Sequence, residues 1–137
     1  MNRIPTPTAR ELEILKVLWD SGPSSVRTVY DKLPGAKDGA YNTIQTLLRI
    51  MEDKGLVEHR VEGRTFVYSP RYSRDESAVR FLDRVFDGAV DQLVMSLVRA
   101  ERITPEEIQR MHEMIGEARR TAATERAGRK SRTASGD

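Results

Sequence analysis

Asn42, Gln45, Thr46 and Arg49, within the segment DGAYNTIQTLLRIMEDKGLV (Asp38 to Val57), fall at i, i+3, i+4 and i+7. That spacing gathers them on one face of a helix. An Asn or Gln amide offers a donor beside an acceptor, the pair that adenine matches in the major groove. Arg bonds guanine or phosphate, and Thr carries a hydroxyl and a methyl suited to thymine. Tyr41 and Thr43 stand at the margins of this face. A solvated helix face ordinarily mixes Glu and Lys. Short amides and hydroxyls instead keep the face low enough to lie in a groove.

The remaining residue types narrow the chemistry. The chain has 137 residues and no Cys, so it forms neither a disulfide nor a thiolate metal site. Its two histidines, His59 and His112, have no motif that pairs them with a nucleophile or a metal-ligand set. The glycines mark turns, and no Gly-rich phosphate loop is present. No enzymatic centre, metal or cofactor is expected. No apolar run reaches signal-peptide character or the ~18 residues of a membrane span. A soluble cytoplasmic protein without membrane insertion is therefore expected. The net charge of +2 is too small to imply nucleic acid by itself. It changes sign along the chain: residues 1–72 hold 11 Lys/Arg against 9 Asp/Glu, residues 73–120 hold 8 against 10, and residues 121–137 hold 4 against 2. Different segments would then meet different partners.

The elements that must hold the polar face can be read on either side of it. Thr8-Ala9-Arg10-Glu11 forms a capping box for a first helix, with Leu12, Leu15 and Trp19 along one side, Ile14 and Leu18 adjoining, and Ser21-Gly22-Pro23 as its stop. A second helix starts at about Ser25, carries Val26, Val29, Tyr30 and Leu33, and ends at Pro34-Gly35. In the third, Ile44, Leu47, Leu48 and Met51 form the buried arc opposite the polar face. The period then changes to two. The runs LVEHRV and RTFVYS read as strands joined by a two-residue turn at Glu62-Gly63. Three helices and a hairpin describe a winged helix–turn–helix, with the third helix in the reading position. Arg60 and Arg64 flank the turn, where they can reach phosphates or the minor groove.

Three amphipathic helices follow. The first is capped by Ser73 and carries Phe81, Leu82 and Val85; the second carries Val90, Leu93, Val94, Leu97 and Val98. The third opens with Thr104, Pro105 and Glu107 and carries Ile108, Met111 and Ile115. Such short helices bury too little apolar surface alone; they need the first domain or a second copy, and a homodimer is the favoured solution. The expected fold is mainly α with a small β-wing: a winged helix–turn–helix over residues 1–72, a helical dimerisation domain over 73–120, and a disordered basic tail over 121–137. The function expected is sequence-specific binding of double-stranded DNA; the alternative is a winged-helix protein-interaction module that binds no DNA.

The pieces ELEILKVLW, SVRTVYDKL, AYNTIQTLL, KGLVEHRVEGRTFVYSP and FDGAVDQLVMSLV followed by TPEEI, in this order, resemble the penicillinase repressor (BlaI/MecI) family over about residues 6–118. The resemblance implies a homodimeric winged-helix transcriptional repressor on a palindromic operator, commonly with TACA/TGTA cores. It implies that AYNTIQTLLR is the recognition helix, with Asn42, Thr43 and Thr46 toward bases and Tyr41 and Arg49 toward phosphate. In antibiotic-responsive members a membrane sensor's signal leads to proteolysis in the dimerisation domain, and the matching bond here is Ser96-Leu97. This chain departs at Gly39 and Ile50, where many members carry Trp and Arg, so the operator itself does not carry over. It also lacks the C-terminal Cys cluster of the copper-responsive members.

Overall fold

A computed structural model describes residues 6–35 and 40–134, and Gly39 lies outside the described residues. Helix α1 (Ala9–Ser21) opens at the expected capping box: the Glu11 N–H donates to the Thr8 hydroxyl at 3.2 Å, and the Thr8 N–H donates to the Glu11 carboxylate at 2.8 Å. Its buried side is Ile14, Leu15 and Leu18, while Leu12 remains 37% exposed. The apolar arc is thus rotated from the one that leads with Leu12 and Trp19. Trp19 is half-buried because its indole N–H must reach a partner, the Tyr72 carbonyl at 2.8 Å.

Ser24–Ser25 form a short strand, β1, and Ser25 then caps α2 (Val26–Lys32), its hydroxyl accepting from the Thr28 N–H at 3.2 Å. Helix α3 (Ala40–Lys54) buries Ile44, Leu48 and Met51 completely, with Leu47 packed at the margin. Strands β2 (Val57–Glu62) and β3 (Thr65–Pro70) form the hairpin, and the antiparallel sheet order is β1-β3-β2. Glu62 pairs with Thr65, so the two-residue turn is Gly63-Arg64, one position later than Glu62-Gly63. The backbone explains the shift. Gly63 sits at φ +65, the left-handed value a tight hairpin needs at its first loop residue and that Glu would adopt only with strain.

Beyond the wing, α4 (Arg74–Phe86) starts at a capping box of Ser73 and Glu76, α5 spans Val90–Arg99, and α6 spans Pro105–Ala134. The chain divides into two compact units between Val85 and Phe86 rather than at residue 72. Helix α4 goes with the first unit: Arg74 pairs with Asp20 at 2.8 Å, Arg80 lies over the Tyr72 ring at 4.5 Å, and Arg84 bonds Thr6. Asp87 and Gly88, both at positive φ, separate α4 from α5.

In that unit α6 continues without a break through residues expected to be a disordered tail. The segment TAATERAGRKSRTA is rich in Ala and Arg, good helix formers, and offers no stop before residue 134 other than Gly128. A lack of large apolar residues excludes a packed core, not a solvated helix.

Candidate nucleic-acid interface

Because α3 is clamped by three fully buried side chains on one side, its opposite side is fixed in orientation. There Asn42, Thr43, Thr46 and Arg49 are exposed and Gln45 is half-buried. Tyr41, at the first turn, is 37% exposed and meets the Tyr30 ring edge-on at 5.8 Å, which ties the start of α3 to α2. Arg27 in turn lies over Tyr30 at 5.6 Å. All six residues predicted on this helix therefore share one accessible surface, and none is spent in the core.

The wing is locked to the same helix. His59 Nδ1 sits 2.6 Å from the Glu52 carboxylate, which also accepts the His59 backbone N–H at 3.1 Å. The His59 ring stacks on Phe66 at 4.4 Å between centroids. Buried Tyr68 lies next: burial raises its phenol above the ordinary value, nearby Glu52 adds to this, and Arg49 opposes it. Glu52 and Arg49 thus mark the wing side of α3.

The two predicted wing arginines differ. Arg60, on β2, is bound by its neighbour Glu62 at 2.7 Å, although both remain exposed. Arg64 lies in the turn itself, exposed, with no ion pair among the described residues. It is the wing's most available cation, whereas Arg60 must release Glu62 or share it.

A brace at the far end of α3 was not evident from sequence. Glu11 is 1% exposed, and the Lys54 ammonium lies 2.9 Å from its carboxylate. Burial raises the Glu11 carboxyl, but hydrogen bonds from Thr8 and the charge of Lys54 outweigh burial and hold it below its usual range. This pair fastens the C-terminal turn of α3 to the first turn of α1. The only sequence signal is a capping-box Glu, and its second partner lies 43 residues away.

The residues expected at a subunit interface are not buried within one chain. On α4, Phe81 and Val85 are each 52% exposed and Leu82 is half-buried; Phe81 and Val85 line an apolar groove of about 300 Å3 with Leu12, Leu15 and Trp19. On α5, Val90, Leu97 and Val98 are exposed while Leu93 and Val94 are half-buried. On α6, Ile108 and Ile115 are exposed and Met111 is half-buried. The Ser96-Leu97 bond lies in the C-terminal half of α5. Thr104 and Glu107 form the expected capping box, and hydrogen bonds from the Thr104 backbone and side chain hold the Glu107 carboxyl below its ordinary value.

Among the described residues no cluster of His, Asp and Glu is placed to hold a metal ion, and no helix is long and apolar enough to cross a membrane.

Comparisons with known proteins identify relatives of this chain. A family model described as "Penicillinase repressor" matches residues 7–117. The penicillinase repressor of Bacillus licheniformis is 29% identical over 121 residues, covering 85% of this chain and 94% of that protein. The methicillin resistance regulatory protein MecI of Staphylococcus aureus (strain N315) is 20% identical over 112 residues, 79% of this chain and 91% of that one. Among solved structures, the DNA-binding domain of the repressor BlaI is 34% identical, covers 56% of this chain and 93% of its own, and has a TM-score of 0.47.

Proposed function

The chain belongs to the penicillinase repressor family and is a DNA-binding transcriptional repressor, and we propose that it acts as a homodimer on a palindromic operator in the cytoplasm. Each α3 enters a major groove, with Asn42, Thr43 and Thr46 toward base edges and Tyr41 and Arg49 toward phosphates. Gln45 sits on the wing side of the same surface. Arg64, and Arg60 when it releases Glu62, reach the backbone beside the groove. Two recognition helices on one face of B-DNA stand roughly 34 Å apart, which sets the half-site spacing.

The observation that carries the homodimer is the apolar stripe of α5 and α6. Val90, Leu97, Val98, Ile108 and Ile115 are all between 38% and 59% exposed in the single chain. Exposed apolar faces of that kind are costly in water and are relieved by burial against a second copy of the chain. Doubling the DNA contacts through one interface raises affinity far beyond that of a single half-site. The test is sedimentation of the full chain beside gel shifts on palindromic and half-site duplexes. A dimer that prefers the palindrome agrees with the proposal; a monomer that binds both duplexes equally contradicts it.

The regulatory reading follows from the same helix. A protease linked to a membrane sensor system cuts Ser96-Leu97, which destroys α5 and with it the dimer. Helix α5 has no side-chain N-cap and no fully buried residue, so the isolated chain opens there at low cost. Mass spectrometry of the protein from induced cells should find a fragment ending at Ser96. Persistence of the intact chain alone while repression is lifted would rule this cleavage out.

A further inference from the structure

The exposed surface of α3 has two unlike flanks. Asn42, Gln45 and Arg49 lie on the side of Glu52, which grips the wing through His59. The other flank, toward Lys54 and α1, carries Thr43, Thr46 and Ile50 at i, i+3 and i+7. Ile50 is 41% exposed, although Ile44, Leu48 and Met51 on the same helix are completely buried. A solitary exposed Ile is ordinary. This one, however, continues a row of two exposed threonines along a helix whose outer face is otherwise polar.

We propose that Ile50 is a specificity-determining residue which, with the methyl groups of Thr43 and Thr46, reads the C5-methyl groups of thymines in the major groove. The proposal rests on the assignment of α3 as the DNA-reading helix and deepens it. An apolar side chain cannot bond the donors and acceptors of base edges, and the thymine methyl is the one apolar group the major groove presents. A protein partner fits less well, since the row is narrow and bordered by the amides of Asn42 and Gln45, the Arg49 guanidinium and the charged Asp53 and Lys54. A stable protein interface needs about 800 Å2 on each side. The helix therefore divides its work: Asn42 and Gln45 on the wing-side flank read hydrogen-bonding edges while Arg49 holds phosphate, and the α1-side flank reads methyl groups.

The experiment starts by selecting duplexes from a random pool with the full-length protein. Each thymine of the enriched duplex is then replaced in turn by deoxyuridine, which removes only the methyl group. Wild type should lose about fourfold or more in affinity at one or more positions, the worth of one buried methyl. Ile50→Ala should lose a similar factor on the thymine duplex and become indifferent to deoxyuridine at one of those positions, while Ile50→Val should keep most of the discrimination. Because Ile50 is exposed, both variants should melt with wild type, which separates lost contact from lost fold. Wild-type binding that ignores every deoxyuridine, or an Ile50→Ala protein with undiminished deoxyuridine sensitivity, would overturn the proposal. Failure to enrich any duplex is a different result: it removes the DNA-reading assignment of α3, and the proposal with it.

Discussion

Replacing Lys54 by Met should destabilise the DNA-binding unit through a carboxylate some forty positions away. The Glu11 side chain is 1% exposed and its partner Lys54 30% exposed, with 2.9 Å between charged atoms. Removing one member of a fully buried pair costs about 3–5 kcal/mol because the other charge is stranded. Two features reduce that figure here. Thr8 still donates its N–H to Glu11 at 2.8 Å, and water can enter where the partly exposed ammonium stood. About 2 kcal/mol is left, which for a unit of this size is a fall of about 8–16 °C in melting temperature. Glu11→Gln should cost less, about 1 kcal/mol, because Lys54 can then hydrate.

The acid dependence separates the two variants. The Glu11 carboxyl is held below its ordinary value of 4.5, so its stabilisation is complete above that pH and is lost as pH falls through the folded-state value. Lys54→Met should shrink this acid loss, and Glu11→Gln should abolish the part due to Glu11. Glu107 is also depressed and adds its own loss in the same window, so some acid dependence remains. The assay is thermal and urea denaturation at one protein concentration, at neutral pH and down an acid series, since the proposed dimerisation would make stability concentration-dependent. A Lys54→Met protein within about 0.5 kcal/mol of wild type would refute the brace. An unchanged acid limb in Glu11→Gln would refute it independently.

Other substitutions probe the remaining parts. Arg64→Ala should weaken binding evenly across sequences and reduce the slope of log affinity against log salt by about 1; an unchanged slope would remove the wing tip from the phosphate contacts. Leu97→Asp should yield a monomer in sedimentation and collapse operator affinity, because a charge would enter the apolar stripe of α5. A stable dimer carrying that change would place the interface elsewhere. Leu48→Ala, at a side chain with no exposure, should cost about 2–5 kcal/mol in urea denaturation; a smaller loss would mean that α3 is not clamped as described.

How far these features are legible in sequence depends on the range of the forces that make them. The capping boxes at Thr8-Glu11 and Thr104-Glu107 are evident because a hydroxyl and a carboxylate three residues apart satisfy the same helix end. The buried arc of α3 is evident because Ile44, Leu48 and Met51 repeat at helical spacing. Strand β1 is not, since nothing in Ser24-Ser25 favours a strand; their pairing with Tyr68 and Val67 exists only once the hairpin is in place. The Glu62-Gly63 turn falls one residue early because both registers keep the same residues on each face of the hairpin, and they are told apart by which residue takes the positive φ. The Glu11–Lys54 brace and the His59–Glu52 contact join distant or differently spaced elements, so no local pattern announces either. The length of α6 is missed for another reason: its last turns are built from helix formers without an apolar stripe, and apolar periodicity is what the eye follows.

The central claim is that the short polar face of α3 reads base sequence. Its most direct test is the affinity of wild type, Asn42→Ala and Thr46→Ala for a selected operator and for a random duplex at one salt concentration. Each variant should lose about 1–3 kcal/mol on the operator and almost nothing on the random duplex. Equal losses on both duplexes, or none on either, would contradict the claim.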